Sequence, residues 1–544
     1  MALGVFLRKG TSPMDESKQS EPSEPVTPTD RTPVAGGSDA GAAATEGGAG
    51  RPDEDAALDD RGEALRGHSA GDEKVLRMGT ASIPRLITEF AIPSVVGMLI
   101  NGSYAIIDSV FLGHAVGEIG LSAMTVANPI MIVFMALAML IGNGGNALAA
   151  LRLGEGRRED AERALGNVVS LSLLAAVVVL FIGWNPVLVN GVLGLASATE
   201  EVRPYALTFI QILCSGFLLQ CIGMGVNNFI RTCGAPNRAL GTMVVGLASS
   251  VAFNFLFVIM LGWGVAGSGL ATVLGWGCSC ATVLWYFCGR TDVPMRLSVR
   301  SMIPNVPLIV TILGYGLPSF CVQAGMAVVN FVINFQLVKY GALTPIGADD
   351  ALAAIGVVQR IGQFTVMPLI GIAIALQPLL GFNYGARKVA RVRKTLWYGI
   401  GAATSIAVVM FAGVELFAVP IAHGFGIKHD GLVDFTAFAL RVQFLILPFV
   451  GFQIVSANYF QATGQPAKSV LLTLTRQILF LVPLLYLMPE MLPSLAPGLT
   501  GLDALYFAAP VSDLLATGTT AVFIAWEMVR LRRLARLCAQ GAEA

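Results

Sequence analysis

The sequence predicts an all-α membrane protein, with twelve transmembrane helices in two pseudo-symmetric six-helix lobes around a central cavity. Three observations carry this expectation. The 544-residue chain is 55% hydrophobic and only 13% charged, with a mean hydropathy of +0.70, whereas soluble domains carry about 25% charged residues. Beyond Ser82 the apolar residues fall into twelve segments long enough to cross a bilayer. Sequence signals from the first half of that region recur in the second.

Residues 1–74 hold 15 of the 35 acids and 8 of the 35 bases, leaving 20 acids and 27 bases for the remainder. Stretches such as "EPSEPVTPTDRTP" and "GGSDAGAAATEGGAG" lack apolar periodicity. Chain of that composition cannot bury enough apolar surface to offset its entropy. A disordered acidic cytoplasmic tail is therefore expected over 1–78. Its Ser-Pro and Thr-Pro pairs read more simply as linker than as phosphorylation sites. No charged n-region followed by an apolar h-region opens the chain, so no cleavable signal is expected.

The spans are expected at about 83–112, 120–151, 163–187, 203–232, 237–262, 266–288, 307–338, 351–382, 392–421, 434–462, 468–488 and 503–528. The first six make an N-terminal lobe, 79–300, and the last six a C-terminal lobe, 301–530, before a cytoplasmic end segment, 531–544. The longest exceed the hydrocarbon thickness and must tilt, bend or project. Lys and Arg set the orientation. With the tail inside, the inner loops hold fifteen: Arg152, Arg157, Arg158, Arg163, Arg231, Arg238, Arg290, Arg296, Arg300, Arg387, Lys388, Arg391, Arg393, Lys394 and Lys468. The outer loops hold three, Arg203, Lys339 and Lys428. This positive-inside bias puts both termini in the cytoplasm.

"NNFIRTCGAPNRA" (227–239) and "ANYFQATGQPAKS" (457–469) match at Asn228/Asn458, Gly234/Gly464 and Pro236/Pro466, and "AIPSVVGML" (91–99) answers "GLPSFCVQA" (316–324). Six spans per half give both halves the same orientation, hence parallel repeats that rock about a shared cavity.

The motifs of nucleotide hydrolysis, zinc proteolysis and serine hydrolysis are missing, and the four histidines lie scattered on tail and loops. The chain reads as a non-enzyme, with any transport driven by an ion or solute gradient. Seven cysteines lie in apolar runs and Cys538 near the end, without CxxC pairs, so they read as small apolar fillers rather than disulfides or zinc ligands.

One charge is out of place. In "NGSYAIIDSVFLG" (101–113), Asp108 falls inside the first span. A charged carboxylate there costs roughly 2.5–3.5 kcal/mol on the lenient insertion scale. Burial disfavours its ionised form, so it is suited to take a proton from one side and release it on the other. The plainer reading is a neutral side chain hydrogen-bonded to a neighbouring helix, but few other acids lie in this lobe. Around it the lobe offers Asn101, Tyr104, Asn128, Asn143, Asn146, Asn227, Asn228, Asn254 and Thr272. Pro93, fifteen residues earlier on the same helix, frees a backbone carbonyl and reads equally as a fixed bend or a hinge. "GNGGN" (142–146) reads as close packing first and binding second. Arg360, Glu415, Arg476 and Asp513 of the second lobe read as charge pairs or interfacial residues.

Taken in order, "ITEFAIPSVVGMLINGSYAIIDSVFLG", "GNGGNALAALRLGEGRREDAERALG", "NNFIRTCGAPNRA", "GWGVAGSGLAT" and "LQPLLGFNYGARKVARVRKTLWYG" resemble the MATE (multidrug and toxic compound extrusion) family, in its DinF-type, MepA-like branch. The likeness spans nearly all of residues 80–530. It implies a plasma-membrane antiporter that exports organic, cationic or amphipathic compounds in exchange for protons, with sodium as the alternative coupling ion, and so contributes to antibiotic resistance. No other cofactor is implied. The implied partners are small organic solutes and membrane lipids, not nucleic acid, and the implied state is a monomer. Asp108 matches the family's proton-binding aspartate, Pro93 its bending proline and Tyr104 the neighbour one turn earlier. Asn227 and Thr272 match polar residues of the first-lobe cavity, and Tyr104, Asn101, Asn128, Ser250 and Asn254 are expected to line it with them. Where the family's fifth helix usually reads Asn-x-x-x-Asp, this chain has Ser250 and Asn254, an amide that cannot titrate. A lipid-linked flippase of the wider superfamily is the alternative, disfavoured by the few intramembrane arginines and the "NYGAR" signature.

Overall fold

The computed structural model describes residues 70–540, apart from 196–199, 291, 345, 428 and 497. Among the described residues the chain is helical throughout, as it must be where lipid offers backbone groups no partner. The first lobe holds α1 (Ala70–Thr80), α2 (Ile83–Ala115), α3 (Glu118–Gly154), α4 (Arg158–Gly183), α5 (Pro186–Leu195), α6 (Arg203–Gln220), α7 (Asn227–Thr232), α8 (Pro236–Asn254) and α9 (Gly264–Cys288). The second holds α10 (Val306–Gly341), α11 (Ala348–Gly385), α12 (Val389–Gly424), α13 (Asp430–Phe444), α14 (Leu447–Ala462), α15 (Pro466–Leu474), α16 (Val482–Leu495) and α17 (Gly501–Gln540). π-Helical turns at Cys221–Val226, Phe255–Met260 and Thr475–Leu481 carry α6 into α7, extend α8, and carry α15 into α16.

Eleven of the resulting helices are long and apolar enough to span, and α13 with α14, bent by 44° at their junction, makes a twelfth. The twelve expected spans are thus present. The 36 residues of α10 reach about 54 Å at 1.5 Å per residue, well beyond a hydrocarbon core of about 30 Å. The expectation of disorder over 1–78 is corrected in part: α1 begins at Ala70 and packs on the second lobe. Its last carbonyls, which a helix end leaves without partners, accept from Asn383 (to Met78, 3.0 Å), Lys388 (to Gly79, 3.0 Å) and Arg391 (to Ala81, 2.6 Å). Two cations at a helix C-terminus also suit its dipole. The rest of that expected tail lies outside the described residues.

The repeat is visible in the backbone. Gly234 and Gly464 both adopt the left-handed conformation (φ 74° and 79°), which only glycine takes without cost. Pro236 and Pro466 each open the next helix, where the missing N–H is not needed.

Between the lobes, one half of the bundle is shut. There α2 and α10 begin and α3 and α11 end, and the lobes meet backbone to backbone. A Cβ on Gly316 would lie 1.7 Å from the Leu140 carbonyl oxygen, on Gly144 2.1 Å from that of Ile312, and on Gly154 2.1 Å from that of Phe382. The "GNGGN" stretch therefore does what small residues at helix interfaces do. Asn143 Nδ2 donates to Ser319 Oγ (3.1 Å) and Asn146 Nδ2 to Gln377 Oε1 (3.0 Å) across the same seam.

Gly316→Val forces methyl groups against the Leu140 main chain, and overpacking of this kind costs about 1–3 kcal/mol. The variant is expected to melt several degrees below wild type in detergent. Gly314→Val, two residues away with open space around its Cβ position, is expected to melt with wild type.

Candidate functional site

Two features of the first lobe lie close together: a sealed acid pocket and a cavity. Asp108, on α2, is only 1% exposed. Its Oδ1 accepts from Asn254 Nδ2 and its Oδ2 from Thr272 Oγ1, each at 2.9 Å. Asn254 also donates to the Ser250 carbonyl at 3.1 Å. The two donors come from α8 and α9, which approach closely because Gly246 and Gly275 face each other: a Cβ on Gly275 would lie 3.0 Å from the Gly246 carbonyl oxygen. The same Gly246 leaves room for the Tyr104 hydroxyl, 2.7 Å from where its Cβ would sit. Sequence and packing thus agree on why small residues stand opposite Tyr104 and Asp108. A π-helical turn follows directly after Asn254, in keeping with the habit of such turns to sit at functional positions.

The cavity, open to solvent, lies on the other side of Tyr104. Asn101, Tyr104, Asn143, Asn227 and Asn228 give it polar walls, and Met98, Met139, Met224, Met243 and Trp276 apolar ones. Methionines make a deformable lining that accepts varied shapes.

The residues singled out from sequence therefore separate. Asn101, Tyr104 and Asn227 line the cavity. Ser250, Asn254 and Thr272, expected as cavity lining, are not among the lining residues and are themselves buried: Asn254 and Thr272 hold Asp108, and the Ser250 carbonyl accepts from Asn254. Asn227 is held by the carbonyl of Ala239 (3.0 Å) and the hydroxyl of Thr242. Asn128 is exposed on α3 and is not among the lining residues. Pro93 is buried within α2, whose helix runs unbroken through it.

Two of the second-lobe acids singled out from sequence stand in ion pairs: Asp513 Oδ1 with Arg476 Nε at 2.7 Å and Glu415 Oε2 with Arg441 Nε at 3.6 Å. Arg360 is exposed. Glu527, fully buried, passed unnoticed in the sequence; Lys468 (3.1 Å), Arg530 (3.2 Å) and Gln465 (3.0 Å) hold it. Arg231 is a correction. It counts among the inner-loop charges in the sequence, yet it sits in α7, 3% exposed. The repeat held the signal, since Arg231 falls opposite Gln461, well before the turn.

Thr272→Val removes one of the two donors on the Asp108 carboxylate, and a hydrogen bond to a charged group is worth about 1.5–3 kcal/mol. Thermal unfolding is expected to show a lower midpoint than wild type. The deficit should be larger at alkaline than at acid pH, because only the ionised carboxylate needs both donors.

Comparison with known proteins agrees with this architecture. Multidrug export protein MepA of Staphylococcus saprophyticus is 24% identical over 444 residues, covering 79% of this chain and 92% of that protein. A MOP superfamily transporter from Pyrococcus furiosus, described as having a binding pocket of reverse polarity, aligns with a TM-score of 0.76 at 24% identity over 84% of this chain and 98% of its own. An outward-facing multidrug resistance MATE family transporter aligns with a TM-score of 0.76 at 23% identity, over 86% of this chain and 99% of its own. At such identities the structural likeness speaks for the fold. The sequence itself matches the MatE family over residues 93–274 and 318–487, and the chain accordingly belongs to that family of multidrug efflux transporters as a multi-pass membrane protein.

Proposed function

We propose that the chain is a secondary active antiporter, exporting small amphipathic organic compounds in exchange for protons, with Asp108 as the group that carries the proton. One observation carries the reading: a carboxylate 1% exposed within a spanning helix, held by two neutral donors and by no ion pair among the described residues. An acid salt-bridged to a fixed cation would lose that pair on protonation. Asp108 loses only hydrogen bonds to the charged form, which the neutral acid replaces in part.

With both termini in the cytoplasm, the closed seam lies at the cytoplasmic end and the opposite half faces outward. A proton entering from outside neutralises Asp108 and loosens its hold on Asn254 and Thr272. The helix is then free to bend at Pro93, where the backbone already lacks one hydrogen bond. The cavity narrows, the solute leaves outward, and the proton is given up once the lobes have rocked to the other side. Since a ligand shifts such an equilibrium only by its differential affinity for the two states, proton and solute must each prefer a different one.

A sodium-coupled variant has one observation in its favour. The Asn254 amide oxygen, on the side chain that donates to the carboxylate, and the Ser250 hydroxyl, one turn earlier on α8, are buried without a partner among the described residues, and oxygen ligands suit a hard cation. Proteoliposomes given either a pH step or a sodium step separate the two. Export is expected to follow the pH step and to ignore the sodium step. Asp108→Asn, whose amide can still accept from Asn254, should fold and lose the response to pH. Export by that variant as fast as wild type, with its pH dependence intact, sinks the reading.

A further inference from the structure

We propose that Arg231 sets the polarity of the first-lobe cavity, making it a seat for solutes that carry a carboxylate beside an aromatic or apolar body. This deepens the transport reading and rests on it.

Among the described residues the cavity lining contains no Asp or Glu. Asp108 is sealed behind Tyr104 by its two donors and is not part of the lining. A cationic solute would thus meet no countercharge there. The charge that does abut the cavity is positive. Arg231 Nη1 donates to Asn228 Oδ1, and its Nη2 lies 3.5 Å from Met243 Sδ; Asn228 and Met243 both line the cavity. No ion pair holds Arg231 among the described residues, and its Nε is buried without any partner. A guanidinium carries five donors in a planar fork matched to carboxylate geometry. Here most of that capacity is unspent, in a site where low dielectric strengthens each bond it could make. The Met243 thioether, part of the cavity lining, rests against Nη2, and methionine moves aside at small cost. Trp276 and the methionines would receive the apolar body.

The repeat supplies an independent observation. Position 231 corresponds to 461 in the second lobe, where Gln461 Nε2 donates to the Tyr315 carbonyl (2.8 Å) and Ser319 Oγ (3.2 Å). Ser319 also accepts from Asn143, whose Oδ1 accepts from Asn228 (2.8 Å), the partner of Arg231. Both residues thus end the same polar chain across the seam. A neutral amide suffices at one end, so the positive charge at the other is not needed to close it.

The test is equilibrium binding of a matched pair of xanthene dyes to the full chain in detergent, read by fluorescence anisotropy at neutral pH. One dye carries a free carboxylate and the other is its methyl ester. Wild type is expected to bind the free acid roughly tenfold or more tighter, the range a charge-assisted hydrogen bond supplies. Arg231→Gln should collapse that ratio toward one, and Arg231→Lys should keep most of it. A wild-type preference for the ester, or an unchanged ratio in Arg231→Gln, overturns the proposal. If Arg231→Gln fails to fold, the wild-type and Arg231→Lys ratios still decide. Transport separates the two readings: acid-selective binding without export of either dye would overturn the antiporter and leave the seat standing, whereas export with preference for the ester would overturn only the seat.

Discussion

A carboxylate shut away from water inside a spanning helix is the constraint from which the first lobe can be read. Asp108 needs donors, and in this chain the donors are neutral: an amide on one helix and a hydroxyl on the next. To bring both within reach, α8 and α9 must pack against each other and against α2, which is possible because Gly246 and Gly275 present no side chains where the helices cross. Tyr104 then closes the pocket on the side of the cavity. An unpaired buried charge is among the costliest features a fold can hold, and the proposed exchange with protons gives that cost a use.

The two lobes repeat each other in topology and in turn chemistry, but not in charge. Carried along the repeat that equates Pro93 with Pro318, the position opposite Asp108 is Ile333, a buried aliphatic. In the second lobe Glu415 and Asp513 stand in ion pairs instead, and Glu527 collects two cations and an amide. One lobe thus holds a buried acid without a cation among the described residues, while the other holds Glu527 between two. That division suits the proposed exchange, in which a single proton-sensitive element would bias the motion of two rigid halves.

Much of this was legible in the chain. Spanning segments are written in long apolar runs that nothing else explains, and the repeat is written in Gly234/Gly464 and Pro236/Pro466, residues whose backbone demands leave few substitutes. Asp108 stood out because it violated its surroundings. The partition among its neighbours did not show, because Asn254 and Thr272 look like any other polar residues on helical spacing, and only the packing of three helices decides that they face an acid rather than a solute. Arg231 was hidden for the opposite reason. Close to a loop, among other basic residues, it looked like an ordinary anchor at the membrane surface, and nothing local reveals that α7 turns it inward. Order in α1 was also missed, since that helix is fixed by second-lobe cations more than three hundred residues away.

The glycine seam has a mechanical corollary. Where Gly144, Gly154 and Gly316 let main chain rest on main chain, the barrier to leakage is made of peptide planes and not of plugs that could swing aside one at a time. In the proposed rocking, a door of that construction would part along its whole edge rather than plug by plug. Tightness against passive loss and abruptness of opening would then be the same property.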